Sequence, residues 1–175
     1  MPHPMTPEAL VELSLTEAAD AFRRGEVTAT RLLDAALLRI RRAAPATNAV
    51  IRLDESQARL AAHLADSARA AGAVPGPLAG VPLMHKDMFE REGRISTAGS
   101  LAWRDRIARR TATVLKRLDA AVALDLGTLH MAEFAQNATG HNAHLGDCRN
   151  PWNAAHVTGG SSSGSGAAVA ARMVW

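Results

Sequence analysis

The sequence predicts an α/β layered fold. Three observations carry this. Apolar residues recur at helical spacing through most of the first 72 residues. A short apolar run bounded by Gly and Pro then follows at residues 81–84. Beyond it, helix-like and strand-like stretches alternate as far as residue 135. Apolar residues make up 47% of the chain and charged residues 21%, the balance of a globular protein, so 175 residues suffice for one core. Aromatics are only 3% and Tyr is absent, so that core must be built from Ala, Leu and Val.

Ser14 followed by Glu17 is a capping-box pattern, and Gly25 is placed to close the short helix it opens. Thr28 caps a second helix running to about residue 44, with Leu32, Leu33, Ala36, Leu37 and Ile40 on one face and Pro45 beyond its end. Residues 49–53 read as a short strand. Asp54 opens a third helix containing Ala58, Ala61, Ala62, Ala65 and Ala68, which stops at Gly72. The chemistry then changes at Val74, where a segment dense in Pro and Gly leads into the apolar run at 81–84. That run reads as a buried strand delivering His85, Lys86 and Asp87 at its end. A helix over residues 111–118, a strand over 121–126 and a short helix over 130–135 come next. Residues 136–160 read as loop, long enough to suggest function. They lead into a Gly/Ser run and an apolar helix over 167–174 that is still running at Trp175. The expected organisation is an N-terminal helical segment, residues 1–72, followed by a core segment, residues 73–175.

Charge and composition exclude several classes. The net charge is +3, with no basic stripe interleaved with aromatics, so no nucleic-acid partner is expected. No run approaches membrane-spanning length, and the first 24 residues lack an uninterrupted apolar region, so neither a membrane anchor nor a signal peptide is read. Cys148 is the single cysteine, which forbids an internal disulfide. A cytoplasmic location is the expectation. His141 and His144 lack the companions of a zinc site, so no metal and no cofactor are expected.

Two features carry chemistry. The run from Gly159 to Gly166 fails both nucleotide-binding patterns, because Ala167 follows the last Gly where a phosphate loop needs Lys, and Val169 stands where the dinucleotide fingerprint needs Gly. What remains is a Ser-rich turn before a helix, suited to a hydroxyl that passes its proton on; composition does not choose among Ser161, Ser162, Ser163 and Ser165. Lys86 is the second feature. Only it and Lys116 are lysines among twenty basic residues, and lysine, unlike arginine, can lose its proton. Its plain reading is a salt bridge to adjacent Asp87; the alternative is a buried, neutral general base.

Gly76-Pro-Leu-Ala-Gly-Val-Pro-Leu-Met-His-Lys-Asp resembles the lysine-bearing segment of the amidase-signature hydrolases. Thr97-Ala-Gly-Ser, Thr111-Ala-Thr-Val-Leu, Met131-Ala-Glu-Phe-Ala and Asn150-Pro-Trp-Asn continue the likeness in order, and Gly159-Gly-Ser-Ser-Ser-Gly-Ser completes it. The resemblance implies the N-terminal portion of that fold, helices packed on a partial mixed β-sheet. It implies a Ser–cis-Ser–Lys triad in which Lys86 is the base and Ser161, after a cis peptide bond, the bridging serine. Ala135 and Gln136 correspond to a wall of the substrate pocket. The family's nucleophile lies roughly two dozen residues past the bridging serine, in a loop that forms the oxyanion hole, and the sequence stops before that distance is reached. Asp119-Ala-Ala-Val departs from the Gly usual before the strand, and Thr128 from a frequent Lys.

The expected function is therefore amidase-type hydrolysis of a small-molecule amide, with this chain inactive by itself. The alternatives are the A component of a tRNA-dependent amidotransferase, which releases ammonia from glutamine with partner subunits, and a non-catalytic remnant of a truncated gene. A homo-oligomer is compatible with all three.

Overall fold

The first helices are set by local caps. In the computed structural model, which describes residues 5–175, a short α1 (Pro7–Val11) precedes α2 (Leu15–Arg23). Residues 1–4 of the N-terminal stretch, read for a leader, lie outside the described residues. The Ser14 hydroxyl accepts from the Glu17 amide at 3.3 Å and Glu17 Oε2 accepts from the Ser14 amide at 2.8 Å, so the capping box forms as expected. Gly25 closes the helix at φ 76°.

The next helix, α3 (Ala29–Thr47), has two caps at one end. Thr28 Oγ1 accepts from the Arg31 amide, and the Asp66 carboxylate, from a later helix, accepts from the amides of Ala29 and Thr30 at 2.7 and 3.1 Å. Leu32, Leu33, Ala36, Leu37 and Ile40 are all buried. The helix does not stop before Pro45 but runs through it. In the last turn a proline forfeits a single amide bond, and the end is instead secured by Asn48, in the left-handed conformation at φ 52°, whose amide donates to Ala44 O at 2.8 Å.

The strands β1 (Val50–Leu53), β2 (Pro82–Lys86) and β3 (Leu124–Leu129) form one mixed sheet in the order β1-β3-β2. β1 runs antiparallel to β3, and β2 parallel to it. Between them in sequence, α4 (Glu55–Ala70) buries Ala58, Ala62 and Ala65 against α3 and β3. One hydrophobic cluster joins α1 to α4 with the sheet and with α6 (Ser163–Ala170).

Boundaries after residue 110 differ from those expected. α5 is Thr113–Ala120, and residues 121–123, expected as strand, instead close that helix. The Ala121 amide donates to Arg117 O and the Ala123 amide to Leu118 O, with Val122 between them at φ 63°. Val122 ends the Asp119-Ala-Ala-Val stretch, and the left-handed turn forms there without a glycine. β3 is displaced C-terminally as a result. The helix expected over 130–135 is only a 3-10 turn, Glu133–Ala135, because Phe134 and Ala135 both take positive φ. α6 starts four residues earlier than expected, inside the Ser run, and ends at Ala170 rather than still running at Trp175. The Ala171 amide closes it onto Ala167 O, and Arg172 turns left-handed at φ 57°. The long loop before it contains no helix. Asn side chains brace it instead: Asn142 Oδ1 accepts from the His144 and Leu145 amides and its Nδ2 donates to Gly99 O and Met131 O.

Candidate active site

Lys86 is the last residue of β2, buried at 7% exposure. Its side chain leaves the sheet toward α6, where Lys86 Nζ lies 2.6 Å from Ser161 Oγ. The Gly160–Ser161 peptide bond is cis. The Ser161 carbonyl accepts from the Ala132 amide at 3.1 Å, so the serine is tethered to the chain just beyond β3. The salt bridge to Asp87, the plain reading of Lys86, does not form. Asp87 is buried and its carboxylate turns to the neighbouring loop, accepting from the amides of Thr97 and Gly99 at 3.1 and 3.2 Å and from the Thr97 hydroxyl. Lys86 takes part in no ion pair among the described residues. Burial without a counter-charge disfavours its ammonium form, so its pKa is lowered.

The four serines are separated by their surroundings. Only Ser161 touches Lys86. Ser162 is exposed, Ser165 is half-buried, and Ser163 Oγ lies 2.9 Å from His130 Nδ1. Because His130 Nε2 is 2.7 Å from the Gly146 carbonyl, that nitrogen must donate, and Nδ1 then accepts from Ser163. Burial lowers the His130 pKa, which favours this neutral tautomer. Cys148 is buried beside the pair, and desolvation pushes its thiol up to about 11. This braced cluster is packing, not a nucleophile site. Sequence reading missed it because His130 gains its partners only once α6 returns to β3.

Ala135 and Gln136 lie three and four residues beyond Ala132 and are half-buried and exposed respectively. They adjoin the loop that Asp87 organises: the Phe134 amide donates to Ala98 O at 2.9 Å, and Ser100 Oγ donates to Glu133 Oε1 at 2.6 Å. No His, Cys, Asp and Glu side chains group together in a way that could hold a metal ion, among the described residues. No helix among them is long and apolar enough to cross a membrane.

The sequence profile of the amidase family matches residues 31–175. The chain belongs to the amidase family. Within it, the chain is 42% identical over 165 residues to the glutamyl-tRNA(Gln) amidotransferase A chain of Azoarcus sp. (strain BH72), covering 94% of this chain and 34% of that one. It is 47% identical over 157 residues to the corresponding protein of Bordetella avium (strain 197N), covering 90% of this chain and 30% of the relative. Solved amidase-family structures superpose on it over nearly its whole length. The peptide amidase of Stenotrophomonas maltophilia gives a TM-score of 0.84 at 34% identity, over 93% of this chain and 35% of that one. Fatty acid amide hydrolase gives 0.91 at 25% identity, over 97% and 30%. The chain thus spans about a third of the length of the curated relatives it matches.

Proposed function

We propose that Lys86 and Ser161 form the proton relay of an amide-hydrolysing site, and that the amide is the side chain of glutamine. The observation that carries the relay is the 2.6 Å contact between a buried lysine without a counter-ion and a serine hydroxyl. A neutral Lys86 amine accepts the Ser161 proton while Ser161 accepts one from the attacking hydroxyl. The same path run backward delivers a proton to the departing nitrogen, which leaves as ammonia. The glutamine reading, first an alternative to a general amidase, is favoured by the relatives: identity is 41–47% to the glutamyl-tRNA(Gln) amidotransferases against 34% to the peptide amidase. In this reading the nucleophile and oxyanion hole come from polypeptide beyond the 175 residues, and the chain by itself turns over no amide.

The test joins residues 1–175 to the remaining two-thirds of the Azoarcus relative and follows ammonia release from glutamine. Lys86→Ala in that chimera should lower kcat by about 10²–10⁴-fold, the usual worth of a positioned general base. Turnover unchanged by Lys86→Ala would sink the relay. Turnover of simple amides without turnover of glutamine would sink the glutamine reading alone.

A further inference from the structure

Which way Lys86 points depends on the register of β2 against β3, and that register is irregular. Leu83 pairs with Asp125, yet His85 pairs with Thr128, so β3 carries one residue more than β2 across this step. The extra residue makes a bulge at Leu126 and Gly127. Gly127 sits at φ 133°, and a Cβ there would stand 2.1 Å from the Arg52 carbonyl of β1, so only glycine fits. Beyond the bulge Lys86 falls opposite Leu129. Ser161 is tethered through Ala132, three residues further along the same chain, so the β2–β3 register also sets the distance from Lys86 to Ser161.

The bulge is held from the opposite face of the sheet. Successive strand residues point to opposite sides, so His85 leaves on the face away from Ser161. There Asp125 Oδ1 accepts from the Gly127 amide at 3.1 Å and from His85 Nδ1 at 3.0 Å, and a carboxylate acceptor requires the proton on that nitrogen. Asp125 Oδ2 pairs with Arg91 Nε at 2.6 Å, and Arg91 in turn forks onto Asp119 at 2.9 and 3.0 Å. Arg94 stands 3.9 Å from Asp125 and pairs with Asp54.

We propose that His85 and Asp125 are positioning residues: their hydrogen bond, closed onto the Gly127 amide, locks the bulge that places the Lys86 amine against Ser161. Without it, a one-residue slip sets Lys86 beside Thr128 and draws the amine away from the serine. This rests on the relay reading, because only a relay needs that amine held in place.

The chain has two lysines, so a 13Cε-lysine titration by NMR gives two signals, assigned with Lys116→Arg. In the wild-type chain the Lys86 midpoint should lie below the ordinary 10.5. His85→Gln keeps an amide donor and should hold that midpoint within about 0.3 unit. His85→Leu removes the donor and should move it at least halfway back toward 10.5. A purely structural role would lower the melting temperature of His85→Leu and leave the Lys86 midpoint in place, which overturns the proposal. Should His85→Leu not fold, Asp125→Ser is measured in the same way. Loss of a nearby negative charge lowers a lysine pKa, so a rise reports displacement, and an unchanged or lowered midpoint counts against the lock. An ordinary Lys86 midpoint in the wild type overturns the relay and the lock together, whereas failure in the variants alone removes only the lock.

Discussion

Lys86 enters the fold without a counter-charge, and that has a thermodynamic cost. Its folded pKa is lowered from 10.5 by loss of water, so in the window between the two values the unfolded chain binds more protons than the folded one. Stability should therefore rise with pH through that window, and below the folded pKa the cost of holding the ammonium is fully present. Each unit of lowering corresponds to about 1.4 kcal/mol. Lys86→Met should be more stable than wild type at pH 7, and its unfolding free energy should lack the alkaline rise. Urea denaturation at pH 7 and pH 10 measures both, and a less stable Lys86→Met at pH 7 would refute the account. Asp87, one residue on, shows why adjacency alone does not pair charges. Its carboxylate is already occupied by two amides and a hydroxyl of the 97–99 loop.

Helices and strands here owe their ends to hydrogen bonds of two ranges. The capping box of α2 is satisfied within three residues, whereas the start of α3 also takes the Asp66 carboxylate from α4. A second close contact between elements is at the start of α6. A Cβ on Gly164 would stand 2.3 Å from the His130 amide nitrogen and 2.6 Å from the Ala49 carbonyl, both backbone atoms that cannot turn aside. The Gly164 amide also donates to His130 O at 2.9 Å, which seats the helix on the end of β3. Gly164→Ala should cost on the order of 2–4 kcal/mol, the penalty of an overpacked core with a displaced backbone. It should also separate Ser161 from Lys86. Thermal unfolding checks the first effect and the Lys86 NMR signal the second; a loss under about 0.5 kcal/mol would refute the close approach.

The hydrophobic cluster does not respect the change in composition near residue 73. Leu32, Leu33 and Leu37 of α3 share it with Leu124, Leu126 and Leu129 of β3 and with Ala167 and Ala168 of α6. Among the described residues β1 has its strand partner only in β3, 70 and more residues away. An isolated polypeptide of residues 1–72 should therefore be unfolded or at most partly helical, while the full chain unfolds in one cooperative step. Circular dichroism and amide dispersion of the 1–72 polypeptide test this. A well-dispersed spectrum with cooperative melting would show that the helical segment holds a core of its own.

Local chemistry was readable from the residues themselves. The capping box at Ser14, the apolar face of α3, the strand ending in Lys86 and the Ser-rich turn all depend on neighbours within about one helical turn or on strand alternation. Their approximate places follow from the sequence alone, as does the likeness to amidase-signature hydrolases. Boundaries failed where a competing local bond won, as at Val122 in the helix-closing turn and Pro45 in the last turn of α3. Composition left four serines open and the family resemblance pointed to Ser161; the tertiary structure sets that serine against Lys86 across 75 residues, and it alone decided which acid meets His85, across 40. Those contacts depend on sheet order and strand register, and neither is encoded by the spacing of any one segment, because strand pairing joins residues whose separation in sequence carries no periodic signal.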